Sequence, residues 1–458
     1  MFFRQVINED LGCASYVVAA GEEAAVVDPR WDIDAYLEIA SEHDLRIARI
    51  LETHNHADHL SGRGRLSEAT GAKIHVSAEA GVEFGHESLA DGDRLELGDA
   101  RITALAMPGH RPEHLAYAIE DGSRAERTWC VLTGDSLFVG DLARPDLAVD
   151  PGEGSRELFR SLRRLLALDD DVEVWPGHIG GSLCGGGGMS EKPSSTIGFE
   201  RRHNRFCRIE DEQEFVGELT AGLGPQPPNF ERIVALNRGP LQTDSPPLES
   251  LTPARVRELL DAGAVVLDSR EPREFDATHL PRSLSVTSIK AGVGTRAAWA
   301  VDLDTELVLV ADGDDRARSF ATMLESVGFR NVGGHLTGGI GAWRQAGEEL
   351  ATTAALSTHG AAEALQRGEV TLLDVRELDE WRKGHVPGSI HMPYHELRDG
   401  RREELERASK PLAVACSAGI RSALATSMLE RAGLEHVQHV AEGGVPELEQ
   451  HGIELVED

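Results

Sequence analysis

Residues Ile50–Gly62 read ILETHNHADHLSG, an apolar run that ends by setting His54, His56, Asp58 and His59 within one short loop. Imidazole and carboxylate are the side chains that hold zinc, iron and manganese. A lone histidine is usually a surface or core residue, but four such groups in one loop read as a metal site. The flanks say how the loop is carried. CASYVVAA (13–20) and EAAVVDP (23–29) read as strands, DIDAYLEIASEHD (32–44) as an amphipathic helix, and RIARILETH (46–54) as the strand that delivers the motif. Downstream, ARITALAMPGH, HLAYAIE and TWCVLTGD are again strand-like runs with polar tips. They place His110 in AMPGHRPEH and Asp135 in LTGDSLF, and His178 follows in VWPGHIGG. Each ends a strand-like run, so all converge at one edge of two sheets with helices outside.

With 458 residues, the chain is expected to hold two to four domains. Its 78 acidic against 46 basic residues leave a net charge of −32. That argues against nucleic acid or an anionic membrane as a partner, and solubility is the simpler reading. MFFRQVINEDLG meets Asn8, Glu9 and Asp10 before an apolar core can form, so no secretory signal is expected, and no stretch has the apolar length of a membrane span. Cys13, Cys130, Cys184, Cys207 and Cys416 are scattered without a CxxC pair. Free thiols in a reducing cytoplasm are the expectation.

GLGPQPPNF and NRGPLQTDSPPLESL punctuate the chain, and the second is read as the main linker. Beyond it the sequence repeats. AVVLDSREPREFDATHLPRSLSV is echoed by VTLLDVRELDEWRKGHVPGSIHMP, with Asp268 and His279 spaced like Asp374 and His385. LVLVADGDDRARSFATMLESVGF is echoed by LAVACSAGIRSALATSMLERAGL. Three domains are expected, at 1–245, 250–352 and 355–458, the last two being copies of one α/β unit.

THNHADH with His110, Asp135 and His178 resembles the metallo-β-lactamase fold, which implies an αββα sandwich over the first domain. Glyoxalase II-like hydrolases with two metals and persulfide dioxygenases with one Fe(II) both share the pattern. GDSLFVGDLARPDL and GGSLCGGGGMSEKPSSTIGFERRHN resemble the persulfide dioxygenases fused to sulfurtransferase domains, with Ala143 where Gly is expected. That resemblance implies His54, His110 and Asp135 as ligands of one Fe(II) per chain. His56, Asp58, His59 and His178 then orient ligands and substrate; in the hydrolase alternative they are ligands of two zinc ions. Cys184, in a glycine-rich loop suited to an anion, is a substrate-binding candidate or a plain loop thiol. Arg201 and Arg202, on an expected helix, could clamp a carboxylate, although a solvated charged face is the simpler reading.

The repeated units resemble rhodanese domains. In ACSAGIRS (415–422) the resemblance implies Cys416 as nucleophile and Arg421 at the end of its loop. A tight loop entering a helix aims backbone N–H groups at the sulfur and favours thiolate, and Gly419 permits the turn. In the first copy Arg316 aligns with Arg421, which leaves Ala311 or Asp312 at the cysteine position and implies lost chemistry. Asp268, Arg270 and Glu271, like Asp374, Arg376 and Glu377, are expected to be structural. The expected activity is oxidation of a low-molecular-weight thiol persulfide by O2 to sulfite and thiol, coupled to sulfur transfer that makes or uses thiosulfate. The rivals are a dinuclear thioester hydrolase and a non-catalytic sulfur-relay or redox-sensing protein. A homo-oligomer is expected.

Overall fold

The computed structural model describes residues 1–180, 184–185, 188–221, 223–398, 405, 408 and 410–457. They form two compact units, Met1–Ser245 with Glu325–Gly328, and Pro246–Leu324 with Phe329–Asp458.

Among the described residues, the first unit contains two six-stranded sheets. One is β1 (Phe2–Asn8), β2 (Cys13–Ala20), β3 (Glu23–Val27), β4 (Arg46–Leu51), β5 (Lys73–Ser77) and β6 (Glu87–Leu89), in that spatial order. The other runs, from edge to edge, β12 (Ser195–Thr196), β11 (Glu173–Pro176), β10 (Thr128–Gly134), β9 (Leu115–Asp121), β8 (Ala100–Ala106) and β7 (Arg94–Leu97). β2 is buried at every position, so its unbroken apolar run is a strand covered on both faces. Tyr16, Val18, Val27 and Leu51 meet Ile102, Tyr117, Ile119 and Leu132 between the sheets. The opposite face of the first sheet packs on Tyr36 and Leu66 from helices Asp34–Glu42 and Arg63–Thr70. The second packs on Leu158, Leu162 and Phe215 from helices Pro151–Leu165 and Glu212–Thr220. Asp150 caps the third helix by accepting from Gly152 and Glu153 N–H, with Pro151 at its first position. The layers are therefore αββα, as expected.

The second unit holds two copies of one parallel sheet. The first copy orders β13 (Ser250–Leu251), β17 (Val332–Leu336), β16 (Leu307–Val310), β14 (Val265–Asp268) and β15 (Leu284–Ser285). The second orders β18 (Ala354–Ser357), β22 (Val437–Glu442), β21 (Leu412–Ala415), β19 (Thr371–Asp374) and β20 (Ile390–His391) in the same way. In each, an aspartate ends the fourth strand of that order, β14 or β19, and binds the arginine two residues on. Arg270 Nε and Nη2 reach Asp268 at 2.9 and 2.6 Å, and Arg376 reaches Asp374 at 2.9 and 2.6 Å. The forks are completed by the carbonyls of Thr278 and Gly384. These are the structural roles expected of both pairs. All five cysteines are buried thiols, and no helix among the described residues is long and apolar enough to cross a membrane.

Candidate metal centre and cysteine loop

The THNHADH loop leaves β4 and is tied down from several sides. Asp28, just past β3, accepts from Thr53 N–H at 2.7 Å and from Thr53 Oγ1 at 2.8 Å. Asn237 donates to the carbonyls of His56 and His59 at 3.0 and 2.9 Å. Asn55 donates to Ala80 O and to Glu113, and Tyr117 donates to Glu52 O. A loop of polar backbone can be buried only if its groups are bonded in this way.

The second sheet brings the rest. His110 follows β8, Asp135 follows β10 and His178 follows β11. The ligand atoms of His54, His110 and Asp135 all lie within 4.8 Å of one another. Asp135 Oδ2 is 3.5 Å from His110 Nε2, 4.0 Å from His54 Nε2 and 3.2 Å from His178 Nε2. His110 Nδ1 donates to Arg144 O at 2.8 Å, which aims its Nε2 into the cluster. Burial, then the neighbouring rings of His56 and His110, hold His54 well below the ordinary imidazole range, in the neutral form that ligates. Burial opposes ionisation of Asp135, but His178 outweighs it and the carboxyl falls to about 2.

Does this donor set fit a cation? His54 Nε2, His110 Nε2 and both oxygens of Asp135 are buried without a hydrogen-bond partner. Such atoms are costly unless something satisfies them, and a metal ion would. The neighbouring position differs. Asp58 Oδ1 is 3.0 Å from His59 Nδ1, and Asp58 Oδ2 accepts from Cys13 Sγ at 3.0 Å. His56 has Nε2 at 3.3 and 3.5 Å from Asp28 and Glu52, neither of its ring nitrogens nor Nε2 of His59 has a hydrogen-bond partner, and ligand atoms of His56, Asp58 and His59 also lie within 4.8 Å of one another.

Cys184 is buried with its sulfur within 4.8 Å of ligand atoms of Asp135 and His178, and burial pushes its thiol well up. Its loop residues 181–183 and 186–187 lie outside those described. Arg201 and Arg202 do stand on a helix, Ile197–His203, and both face acceptors of the chain itself. Both pair with Asp170, and Arg201 also donates to Leu168 O at 2.9 Å. These contacts are those of a charged face beside the turn before β11.

Sequence reasoning did not single out Cys13, His114, Asp28 or Asn237. His114 Nε2 accepts from Asp135 N–H at 2.9 Å, and it was visible in AMPGHRPEH. Cys13 opens β2, and its only signal was a thiol at a strand end.

In the second unit, Cys416 follows β21 and its Sγ accepts from Gly419 N–H at 3.1 Å. Ser422 Oγ lies 3.4 Å from the same sulfur. Gly419 caps helix Ile420–Arg431 at φ +84°, and a Cβ there would meet Ala441 O at 2.8 Å. Arg421 lies in the first turn of that helix and points its fork at Glu380, at 2.5 and 2.7 Å, and at Ser417 Oγ. Burial opposes ionisation of Glu380; Arg421 overcomes it and draws the carboxyl down to about 2. Glu380 lies in helix Leu378–Arg382 of the stretch after β19, and it was not singled out from sequence. The register settles the first copy. Asp268 pairs with Val310 as Asp374 pairs with Ala415, so Ala311 stands where Cys416 does. A cavity of about 330 Å³ lined by Arg270, Ala311, Asp312, Asp314 and His335 lies there.

The sequence model of the metallo-beta-lactamase superfamily matches residues 8–178, and that of the rhodanese-like domain matches 252–346 and 357–451. A beta-lactamase hydrolase-like protein of Agrobacterium fabrum is 29% identical over 44% of this chain and 51% of its own length. A hydroxyacylglutathione hydrolase of Cereibacter sphaeroides is 35% identical over 35% of this chain and 59% of its own. The chain thus spans little more than half the length of these two relatives. The crystal structure of a metallo-beta-lactamase from Staphylococcus aureus superposes with a TM-score of 0.66 at 27% identity, covering 74% of this chain and 98% of that one. With its αββα sandwich, its histidine–carboxylate cluster and its repeated parallel sheets, the chain carries a domain of the metallo-beta-lactamase superfamily followed by two rhodanese-like domains.

Proposed function

We propose that the first domain oxidises the terminal sulfur of a low-molecular-weight thiol persulfide with O2, and that Cys416 moves sulfane sulfur to or from thiosulfate. One observation carries the first half. His54, His110 and Asp135 keep their donor atoms unbonded, whereas Asp58, which a second metal would need, has one oxygen on His59 and the other on Cys13. That contrast supports one ion on a two-histidine, one-carboxylate face, the donor set of mononuclear iron oxygenases. An Fe(II) ion held there supplies the redox chemistry for RSSH + O2 + H2O → RSH + SO3²⁻ + 2 H⁺. The chain's own part is to bury the face, to fix the imidazole of His110 through Arg144 O, and to keep Asp135 ionised.

At Cys416 the thiolate attacks the outer sulfur of thiosulfate. The S–S bond breaks, a Cys416 persulfide forms, and sulfite leaves with the electron pair. Run backward, sulfite made at the first site takes that sulfur as thiosulfate. Tethering raises the concentration of one site's product at the other.

A two-metal thioester hydrolase is the second reading. It draws on the match to the hydroxyacylglutathione hydrolase and on the unpartnered Nδ1 of His56 and Nε2 of His59. Metal analysis of anaerobically purified chain, followed by oxygen uptake with several small persulfides, separates the two. One iron per chain with persulfide-dependent uptake is expected. Two zinc ions, thioester hydrolysis and no uptake would replace the proposal with the second reading.

A further inference from the structure

The copy without a cysteine bonds a strand residue that in turn bonds the cysteine loop of the other copy. Asp276 belongs to helix Pro272–Ala277 of the first copy, and its Oδ2 lies 2.8 Å from Nδ1 of His439, on β22 of the second. The other ring nitrogen, Nε2, lies 2.9 Å from the carbonyl of Gly419. Gly419 is the residue whose N–H bonds Cys416 Sγ. Asp276, His439 and Cys416 are all buried. A carbonyl oxygen only accepts, so Nε2 donates to Gly419, and Nδ1 shares its hydrogen bond with the Asp276 carboxyl group.

Asp276 is itself held from both copies. Its carbonyl accepts from Thr353 N–H at 2.9 Å, and Thr353 Oγ1 donates to Glu430 at 2.8 Å on the helix that follows Cys416. The repeat supplies an internal comparison. His335 is the counterpart of His439, since it pairs with Leu309 as His439 pairs with Val414. It faces Ser250 Oγ at 3.4 Å and Asp314 at 3.8 Å, where Asp314 takes the place of Gly419. No sulfur needs holding there.

We infer that Asp276 is a positioning residue for Cys416: the cysteine-less copy supplies the carboxylate that fixes His439, and His439 fixes Gly419 so that its N–H stays on the sulfur. This rests on the reading that Cys416 carries sulfane sulfur. It gives the silent copy a task that a spacer would not have. Glu430 also faces Asp276 and His439, and on the thiol's side Arg421 faces Cys416 together with Glu380 and Glu377.

The test uses the full chain with Asp276→Asn and with His439→Gln, and Asp312→Asn as a control in the same copy. The rate of iodoacetamide addition to Cys416 is followed against pH on its peptide by mass spectrometry, beside kcat and KM for transfer from thiosulfate to cyanide. Both variants are expected to keep oxygen uptake, to move the alkylation profile to higher pH, and to lose about tenfold in kcat, the size of one charged hydrogen bond, with KM held within about twofold. The control changes neither. A folded Asp276→Asn chain whose profile and kcat superimpose on the wild type overturns the inference. If the variants do not fold, NMR of 15N-histidine in the wild-type chain decides, because a His439 ring without a proton on Nε2 also overturns it. Should wild-type Cys416 react with iodoacetamide but transfer no sulfur, the sulfur-transfer reading fails, and the alkylation profiles still judge the positioning role.

Discussion

Cys13 is the residue on which the proposed single-metal reading turns. Its thiol donates to Asp58, whose other oxygen lies against His59, and on that reading these contacts withhold Asp58 from a second ion. Replacing Cys13 with Ala frees that oxygen. Zinc-loaded Cys13→Ala should therefore bind more than one ion per chain while the wild type stays at one, read by mass spectrometry of metals after gel filtration. Two ions in both proteins would remove the argument for a mononuclear face. At the other site the decisive residue is Gly419. Its φ of +84° costs a side-chain-bearing residue roughly 1–2 kcal/mol, and a Cβ would also press on Ala441 O. Gly419→Ala should cut sulfur transfer at least tenfold and lower the melting temperature of the full chain. A variant with wild-type kinetics would mean that the loop relaxes without moving Cys416.

Between elements, the ion pair of Glu380 and Arg421 pins helix Leu378–Arg382 to the start of helix Ile420–Arg431. Glu380 ionises near 2 in the fold against an ordinary 4.5. A depressed folded value means that the stabilisation is complete above about 4.5 and is lost as the pH falls toward 2. The advantage of the wild type over Glu380→Gln in urea midpoint should therefore be constant near neutrality and shrink progressively below pH 4.5. A difference unchanged at pH 3 would assign the effect to packing instead. Most elements were legible in sequence. CASYVVAA coincides with β2 at Cys13–Ala20, and the helix read in DIDAYLEIASEHD spans Asp34–Glu42. The short strands β6 and β7 were not read, since three or four residues give no period to recognise.

Over the whole molecule, the metal cluster and Cys416 lie in separate units, each with its own chemical groups. Cys416→Ser keeps the side chain's size but cannot hold a sulfane sulfur. Oxygen uptake with a small persulfide should survive, product should shift from thiosulfate to sulfite, and transfer should vanish, since Ala311 offers no second thiol. Asp135→Ala should remove metal and lower oxygen uptake by roughly 100-fold or more, with transfer at Cys416 spared. Chromatography of sulfite and thiosulfate beside an oxygen electrode reads both. If Cys416→Ser stops oxygen uptake, the persulfide on Cys416 is itself the substrate of the first site.

The sequence by itself determined what depends on local pattern: the metal-ligand loop, the strands that carry it, the internal repeat, and the cysteine loop with its glycine. Those are short-range regularities, and a period or a spacing is enough to read them. Tertiary structure alone decided which groups share an environment. It paired Cys13 with Asp58 across 45 residues, took Arg201 and Arg202 to Asp170, and set Ala311 rather than Asp312 at the place of Cys416. It also brought Asp276 to His439 across 163 residues. No local signal encodes such pairs, because they follow from sheet register and from how separately folded layers close on one another.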